Sequence, residues 1–419
     1  MTIGIIGLGY VGLPLAIAFA EAGHQVIGLD TNAGRIDALR HGESHIEDVS
    51  DESLRAVADR FEPTTMARRL AIADAILICV PTPLTPNREP DLGPLLSATA
   101  TVAGVLQRGQ LVVLESTTFP GTTRERLLPA LEETGLTAGR DFFLAFSPER
   151  VDPGRTDYTL RTTPKIVGGI TAACTERAIA LYGEVCDRPV PVSTPEAAEM
   201  AKLLENIFRS VNIALVNELA MLADRMAIDI WEVVDAAATK PFGFMRFEPG
   251  PGMGGHCLPV DPFYLSWKAR EHDITTEFIE LAGKVNQQMP HFCVEKVQRA
   301  LNELSLPVKG ARVLVLGVSY KPGVGDVRES PALKILDRLT ALGADVSYHD
   351  PFVAELPGLG LASADLEPAL SEADIAVIVT AHPGIDHAEI AGTVPTVDLR
   401  GVVRGRLMKH AVAHRGKES

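Results

Sequence analysis

The sequence predicts an α/β chain: two Rossmann-like domains joined by a long central helix within an all-helical middle. Three observations predict it. An apolar run at Ile3–Ile6 ends in Gly7-Leu8-Gly9-Tyr10-Val11-Gly12 and opens an Ala/Leu-rich segment. The same order of strand, glycine turn, helix, strand and aspartate returns between Ala311 and Asp350, stretched by about ten residues. Between them, Thr194 to Met226 holds no glycine and, after Pro195, no proline. The implied division is 1–190, 191–303 and 304–419, and 419 residues suffice for two or three domains.

Composition narrows the class. Hydrophobic content of 46% and charged content of 22% suit a soluble globular chain. No apolar run reaches the ~18 residues a membrane span needs. The start, MTIGIIGLGY, has no basic region and reads as a strand, not a signal peptide. The cysteines at 79, 174, 186, 257 and 293 are scattered and odd in number, which favours a reducing cytoplasm over a disulfide framework. A net charge of −15 disfavours nucleic acid as a partner.

In the first domain, the glycine turn sits between a strand and a helix. Gly7 permits the tight turn, Gly9 lets backbone approach a pyrophosphate, and Gly12 lets helix pack on strand. The helix N-terminus offers unpaired N–H groups to phosphate. Gln25–Leu29 is the next strand and ends at Asp30, whose carboxylate suits a ribose diol and repels a 2′-phosphate, so NAD is favoured over NADP. Arg35 lies one turn into the next helix, at the same adenosine end. Ala75–Val80 stops at Thr82, Leu111–Leu114 stops at Glu115-Ser116-Thr117-Thr118, and Phe142–Phe146 leads to Glu149. Ligands of open α/β sheets sit beyond such strand ends. Thr82 and Thr118 serve equally well as ordinary turn residues.

The middle helix starts at Thr194-Pro195-Glu196, an N-cap with proline and acid behind it. At roughly 100° per residue, Glu199, Lys202, Asn206, Arg209 and Asn217 share one stripe. The stripe is either an active-site wall or a solvated face with ion pairs such as Glu199 with Lys202. Another helix spans Asp229 to Ala238. Phe247 to Trp267 then reads FEPGPGMGGHCLPVDPFYLSW, too rich in glycine and proline for helix or strand. It presents Cys257 and Asp261. His256 and Cys257 are adjacent, and no CxxC elsewhere supplies further ligands, which argues against a metal site. A nucleophilic thiol with a carboxylate four residues on fits better than a core filler.

After a helix at about 277 to 303, the third domain runs through strands at 311–317, 345–349, 375–379 and 395–399. Its glycine turn carries Lys321 and Arg328, which suit phosphate groups.

The blocks GLGYVGLPLA, ESTTFPGTT, FSPERVDPG, AEMAKLLENIFRSVNIALVNELA, PGPGMGGHCLPVDPFYL and SYKPGVGDVRESPALKIL resemble, in order, those of the nucleotide-sugar 6-dehydrogenases, which act on UDP-glucose, UDP-N-acetylhexosamines or GDP-mannose. The resemblance spans about residues 3 to 340. It implies an NAD-binding domain, a helical middle that dimerises and a C-terminal UDP-sugar-binding domain. It also implies four-electron oxidation of a sugar C6 alcohol to a carboxylate. By the same resemblance, Cys257 is the nucleophile, Lys202 and Asn206 stabilise an oxyanion, Asp261 and Thr117 serve the attacking water, and Glu149 is an acid–base group. Cofactor contacts are implied at Gly7, Gly9, Tyr10, Val11, Gly12, Asp30, Arg35, Thr82 and Thr117. Substrate contacts are implied at Glu149, Arg150, Val151, Lys202, Asn206, Arg209, Arg246, Gly254, Lys321, Arg328 and Arg400. Pro153 and Val260 depart from a Glu and a Lys usual in UDP-glucose enzymes, and the sequence here looks like the N-acetylhexosamine branch. The expectation is therefore a cytoplasmic UDP-N-acetylglucosamine 6-dehydrogenase of bacterial surface polysaccharide or glycoconjugate synthesis, a homodimer or higher homo-oligomer. The alternatives are UDP-N-acetylmannosamine or UDP-glucose as substrate, a two-electron 3-hydroxyacid dehydrogenase, and a non-catalytic NAD-binding regulator.

Overall fold

The computed structural model describes residues 1–46, 48–85, 87, 89–151, 157–255 and 261–403. The chain forms two compact units, Met1–Asn206 with Phe263–Thr275, and Ile207–Pro262 with Thr276–Ser419.

The first unit is built on strands β1 (Thr2–Ile6), β2 (Gln25–Leu29), β3 (Phe61–Thr64), β4 (Ala75–Ile78), β5 (Leu111–Leu114), β6 (Phe143–Phe146), β7 (Lys165–Gly169) and β8 (Pro189–Val192). They form one sheet in the order β3-β2-β1-β4-β5-β6-β7-β8. The first six strands have the doubly wound order, which reverses between β1 and β4 and opens a crevice there. Alternate residues supply two separate cores. Ile3, Ile5 and Leu77 pack on one face, and Ile6, Ile76, Ile78 and Leu114 on the other. A sheet covered on both faces explains why these strands read as unbroken apolar runs.

Pairing sets the strand ends in line. Ile6 lies opposite Leu29 and Ile78, Ile78 opposite Leu114, and Leu114 opposite Phe146. The residues that follow, Gly7, Asp30, Cys79, Glu115 and Ser147, therefore share one rim. β7 runs antiparallel to β6, with Phe146 opposite Gly168.

Strands β3, β7 and β8 are absent from the sequence reading. β3 and β8, at the two sheet edges, carry prolines. The Arg60 and Thr64 carbonyls accept from Val26 and Asp30 of the β2 side. Pro63 is out of phase with them by one residue, so its missing N–H points away from β2, on the side where Arg40 Nε donates to the Pro63 carbonyl at 3.2 Å. The Arg188 carbonyl accepts from Lys165, which by the same alternation turns Pro189 and Pro191 outward.

The long helix runs Pro195–Arg225, 31 residues, about 46 Å, with the Thr194 hydroxyl capping the Ala197 N–H at 3.2 Å. Its first part, through Asn206, belongs to the first unit and the rest to the second. The second unit adds helices Ile230–Ala238 and Glu277–Glu303, the latter with Pro290 inside. Its sheet consists of β9 (Arg312–Leu316), β10 (Asp345–His349), β13 (Ile375–Ile378) and β14 (Thr396–Asp398), all parallel, in the order β10-β9-β13-β14. A two-stranded hairpin, β11 (Glu355–Leu356) with β12 (Leu361–Ala362), stands apart.

The internal repeat read from the sequence holds at the level of single hydrogen bonds. Gly7 N–H donates to Leu29 O at 2.8 Å and Gly317 N–H to His349 O at 2.9 Å. Leu8 N–H donates to Asp30 at 3.0 Å and Val318 N–H to Asp350 at 2.7 Å. The two acids then diverge. Asp350 also accepts from the N–H groups of Ser319, Phe352 and Val353 and contacts His382 Nε2 at 2.9 Å, so protein groups crowd its carboxylate.

Gly317 adopts φ +79°, and a Cβ there would lie 2.0 Å from the Thr380 carbonyl oxygen. Gly317→Ala is expected to destabilise the chain by about 2–4 kcal/mol, read as a lowered urea midpoint.

Candidate active site

The glycine turn is shaped for a phosphate-bearing ligand. Gly7 has φ +91°, and a Cβ on Gly12 would sit 1.9 Å from the Gly7 carbonyl, so neither position admits a side chain. A Cβ on Gly9 would meet nothing within 4 Å, which leaves the backbone there open. Tyr10 and Val11 pack partly buried against the core, and Val11 precedes the helix Gly12–Glu21. Asp30 braces the turn: its carboxylate accepts from Leu8 N–H, from Asn32 N–H at 2.9 Å and from Arg35 Nη1 at 3.1 Å. Burial pushes Asp30 up, but those donors and the Arg35 charge outweigh it and hold the carboxyl below its usual value. His45 escaped the sequence reading. Its Nε2 lies 2.8 Å from the Leu8 carbonyl, securing the same turn from a distant loop. A His in the polar stretch HGESHIED gives no sequence signal for that.

Along the rim, the Thr82 hydroxyl donates to the Thr117 carbonyl at 2.8 Å, and Ser116 Oγ to Val80 O at 2.7 Å. Thr118 is fully buried and shares a 2.6 Å hydroxyl contact with Thr122, whereas Thr117 stays partly exposed. Glu149 Oε1 accepts from the N–H groups of Arg150 at 2.7 Å and Val151 at 2.6 Å. Arg150 grips Glu205 with Nη2 at 2.6 Å and Nε at 3.3 Å, and also donates to the Pro164 carbonyl. Glu205 lies between Lys202 and Asn206 on the long helix, so one bidentate pair ties the Glu149 segment to the turn bearing both. Lys202 is partly exposed and Asn206 is buried.

The polar stripe of the helix separates by role. Glu199 makes no pair with Lys202. It is buried and accepts from Gly121 N–H at 2.6 Å and from Thr123 N–H and Oγ1 at 2.9 and 2.7 Å, holding the turn after β5. Arg209 is exposed. Asn217 is fully buried. Its Oδ1 accepts from Gly250 N–H at 2.9 Å and its Nδ2 donates to Asn286 Oδ1 at 2.9 Å. Asn286 in turn donates to Ser210 O and Met253 Sδ. The start of the glycine-rich loop is thus pinned from two helices.

Further along, Gly255 N–H donates to Arg328 O at 3.0 Å, and a Cβ on Gly254 would meet Tyr320 at 2.6 Å. Lys321 is partly exposed. Arg328 pairs with Asp326. Arg246 pairs with Glu248 and, at 2.9 Å, with Asp235. Arg400 reaches Glu248 only at 3.8 Å, and burial holds its guanidinium below the usual value. Asp261 is buried at the start of helix Asp261–Ala269. Cys257, with His256 and Val260, and Pro153 lie outside the described residues. Among the described residues no cluster of His, Cys, Asp and Glu could hold a metal, and no helix is long and apolar enough to cross a membrane.

Three models of the UDP-glucose/GDP-mannose dehydrogenase family match the chain: its NAD binding domain at residues 1–186, its central domain at 196–288 and its UDP binding domain at 314–406. The chain belongs to this family. It is an NAD-dependent UDP-sugar dehydrogenase, an oxidoreductase, and the open Gly9 backbone beside Asp30 fits the cofactor the family binds. It is similar to a UDP-N-acetyl-D-mannosamine dehydrogenase of Pyrococcus horikoshii, 38% identical over 91% of this chain and 90% of the relative. A UDP-N-acetyl-D-glucosamine 6-dehydrogenase of Pseudomonas aeruginosa is 37% identical over 84% and 83%. Among solved structures, that of a UDP-D-ManNAc dehydrogenase from P. horikoshii superposes with a TM-score of 0.89 at 36% identity, covering 97% and 96% of the two chains.

Burial pushes the Glu199 carboxyl of this dehydrogenase up to about 7 against its three donors. Between about pH 4.5 and 7 the folded chain keeps a proton that the unfolded chain loses, so this residue's contribution to stability falls as pH rises through that window. Glu199→Gln cannot titrate and loses hydrogen bonds. It is expected to be about 1–3 kcal/mol less stable than the parent at pH 5. The deficit should shrink by about 1–3 kcal/mol at pH 8, measured by urea denaturation at both pH values.

Proposed function

We propose that this dehydrogenase oxidises C6 of UDP-N-acetylglucosamine to the carboxylate by four electrons, through a covalent intermediate on Cys257. The observation that supports it most is the Arg150–Glu205 pair, which gathers Glu149 and the Lys202–Asn206 turn within one unit. A cation, an amide and a carboxylate so gathered are what an alcohol oxidation followed by hydrolysis requires. NAD, when bound, supplies a hydride acceptor for each oxidation. The alcohol gives up a hydride and a proton to become an aldehyde. The Cys257 thiolate adds to the aldehyde carbon, and Lys202 and Asn206 steady the oxygen that gains charge. Loss of a second hydride leaves a thioester. Water cleaves it, the carbon–sulfur bond breaks and the thiol is regenerated. Per sugar, two NAD and one water are consumed, and two NADH and three protons are released.

The glucosamine assignment draws on the SPERVDPG and GGHCLPVD segments, and relatives named for mannosamine match as well as those named for glucosamine. The test is a panel of UDP- and GDP-sugars with purified enzyme. UDP-N-acetylglucosamine should yield two NADH and one uronate per sugar and should be the preferred substrate. One NADH per sugar, brisk turnover of UDP-glucose alone, or an unchanged rate in Cys257→Ala would overturn the reading. Cys79, Cys174, Cys186 and Cys293 are buried free thiols, which supports a reducing, cytoplasmic setting.

We further propose a homodimer through the second half of the long helix. Phe208, Leu215, Leu219, Leu222 and Met226 are 43–58% exposed and fall on one stripe. A helix face of that apolar content is usually covered. Light scattering should give twice the 44.9 kDa chain mass, and Leu215→Asp with Leu219→Asp should give the single-chain mass. A monomeric parent would overturn the proposal.

A further inference from the structure

Behind Glu149 lies a buried charged cluster that the chemistry above leaves unused. Because β7 runs antiparallel, its first residue, Lys165, stands at the edge where β5 and β6 end. Glu115 follows β5 and Glu149 follows β6. Lys165 Nζ lies 2.8 Å from Glu115 Oε2 and 3.7 Å from Glu149 Oε2, and donates to the Pro148 carbonyl at 3.3 Å. The side chains of Lys165 and Glu115 are 3% and 0% exposed. Tyr182 donates its hydroxyl to the other Glu115 oxygen, and Cys79, the residue after β4, lies in the field of Glu115 and Lys165. Burial and the Glu115 charge push both Tyr182 and Cys79 well above their usual values, so each stays neutral.

The cluster therefore holds one cation against two carboxylates. Burial draws the Lys165 ammonium down, but Glu115 and Glu149 outweigh it and hold it above the usual lysine value. A structural ion pair would need Glu115 alone. Glu149 is the surplus partner, and its placement is specific. Its Oε1 is taken by the backbone donors of Arg150 and Val151, while Oε2 faces the ammonium.

We propose that Lys165, braced by Glu115, is the positioning residue that holds Glu149 as the base of the hydrolytic step. In that step the water oxygen bonds to the thioester carbon and its proton passes to the Glu149 carboxylate. The carbon–sulfur bond then breaks, its electron pair leaving on the cysteine sulfur. Nothing is oxidised or reduced. The inference rests on the four-electron reading.

Lys165→Met alone would strand the Glu115 charge, so the test uses Lys165→Met with Glu115→Gln, which removes both buried charges and leaves Glu149 in place. NADH formation from UDP-N-acetylglucosamine is followed by stopped flow, with acid-quenched intact mass. The double variant should show a burst of two NADH per chain, then steady turnover about 10²-fold below the parent, with KM for NAD and sugar nucleotide within about threefold. The quenched chain should carry the acyl group. Hydroxylamine, which cleaves thioesters without a base, should restore turnover. Adding Glu149→Gln should cost nothing more, since the residues act through one group. Turnover within threefold of the parent, a slow rate that hydroxylamine leaves unchanged, or joint loss of the burst and of NAD binding would each overturn the role of Lys165. A parent that makes one NADH per sugar would overturn the four-electron reading itself, and the inference with it.

Discussion

The constraint on which the rest depends is the register of the first sheet. Five parallel strands end in one row, and each backbone runs out of ladder partners at the same level. The residues beyond must find other partners or offer themselves to a ligand. Asp30 turns back to brace the glycine turn, Glu115 pairs beneath the rim, and Glu149 uses its own backbone. Strand β7, antiparallel to its neighbour β6, places a buried lysine among the carboxylates. Had β7 run parallel, Lys165 would lie at the opposite edge, and Glu115 would need another cation or a proton.

The long helix does a second kind of positioning. Its buried polar residues fasten loops rather than each other. Glu199 satisfies three donors of the turn after β5, and Asn217 takes the Gly250 N–H at the base of the glycine-rich loop. The described residues of both loops form no ladders of their own, so buried side chains supply the acceptors that secondary structure would otherwise provide. A carboxylate and an amide inside a helix are costly in isolation, and here each is matched to donors that no water could reach.

Much of this was legible in the sequence for physical reasons. Buried parallel strands are apolar on both faces, so β1, β2, β4, β5 and β6 stood out, and the helix Pro195–Arg225 announced itself by its cap and the absence of breakers. The repeat of Gly7 and Asp30 at Gly317 and Asp350 was visible as spacing. The edge strands hid because they hold Glu62, Pro63, Pro189 and Pro191, residues that oppose a strand assignment yet are tolerated where one side is unpaired. The Lys165–Glu115 contact hid because it joins positions 50 residues apart, and only the strand directions bring them together. The polar stripe was visible, but its division into fasteners and exposed residues depends on what packs against each turn of the helix.

The outward prolines at both margins of the first sheet have a consequence for life at high concentration. An open eight-stranded sheet is a template for recruiting strands from other chains, nascent or partly unfolded. Pro63 on one margin, where Arg40 already takes its carbonyl, and Pro189 and Pro191 on the other lack the donors an incoming strand would need. Growth by strand addition is blocked at both ends while the interior ladder stays intact. The sheet is thereby a terminated one, with donors missing at both margins where a further strand would pair.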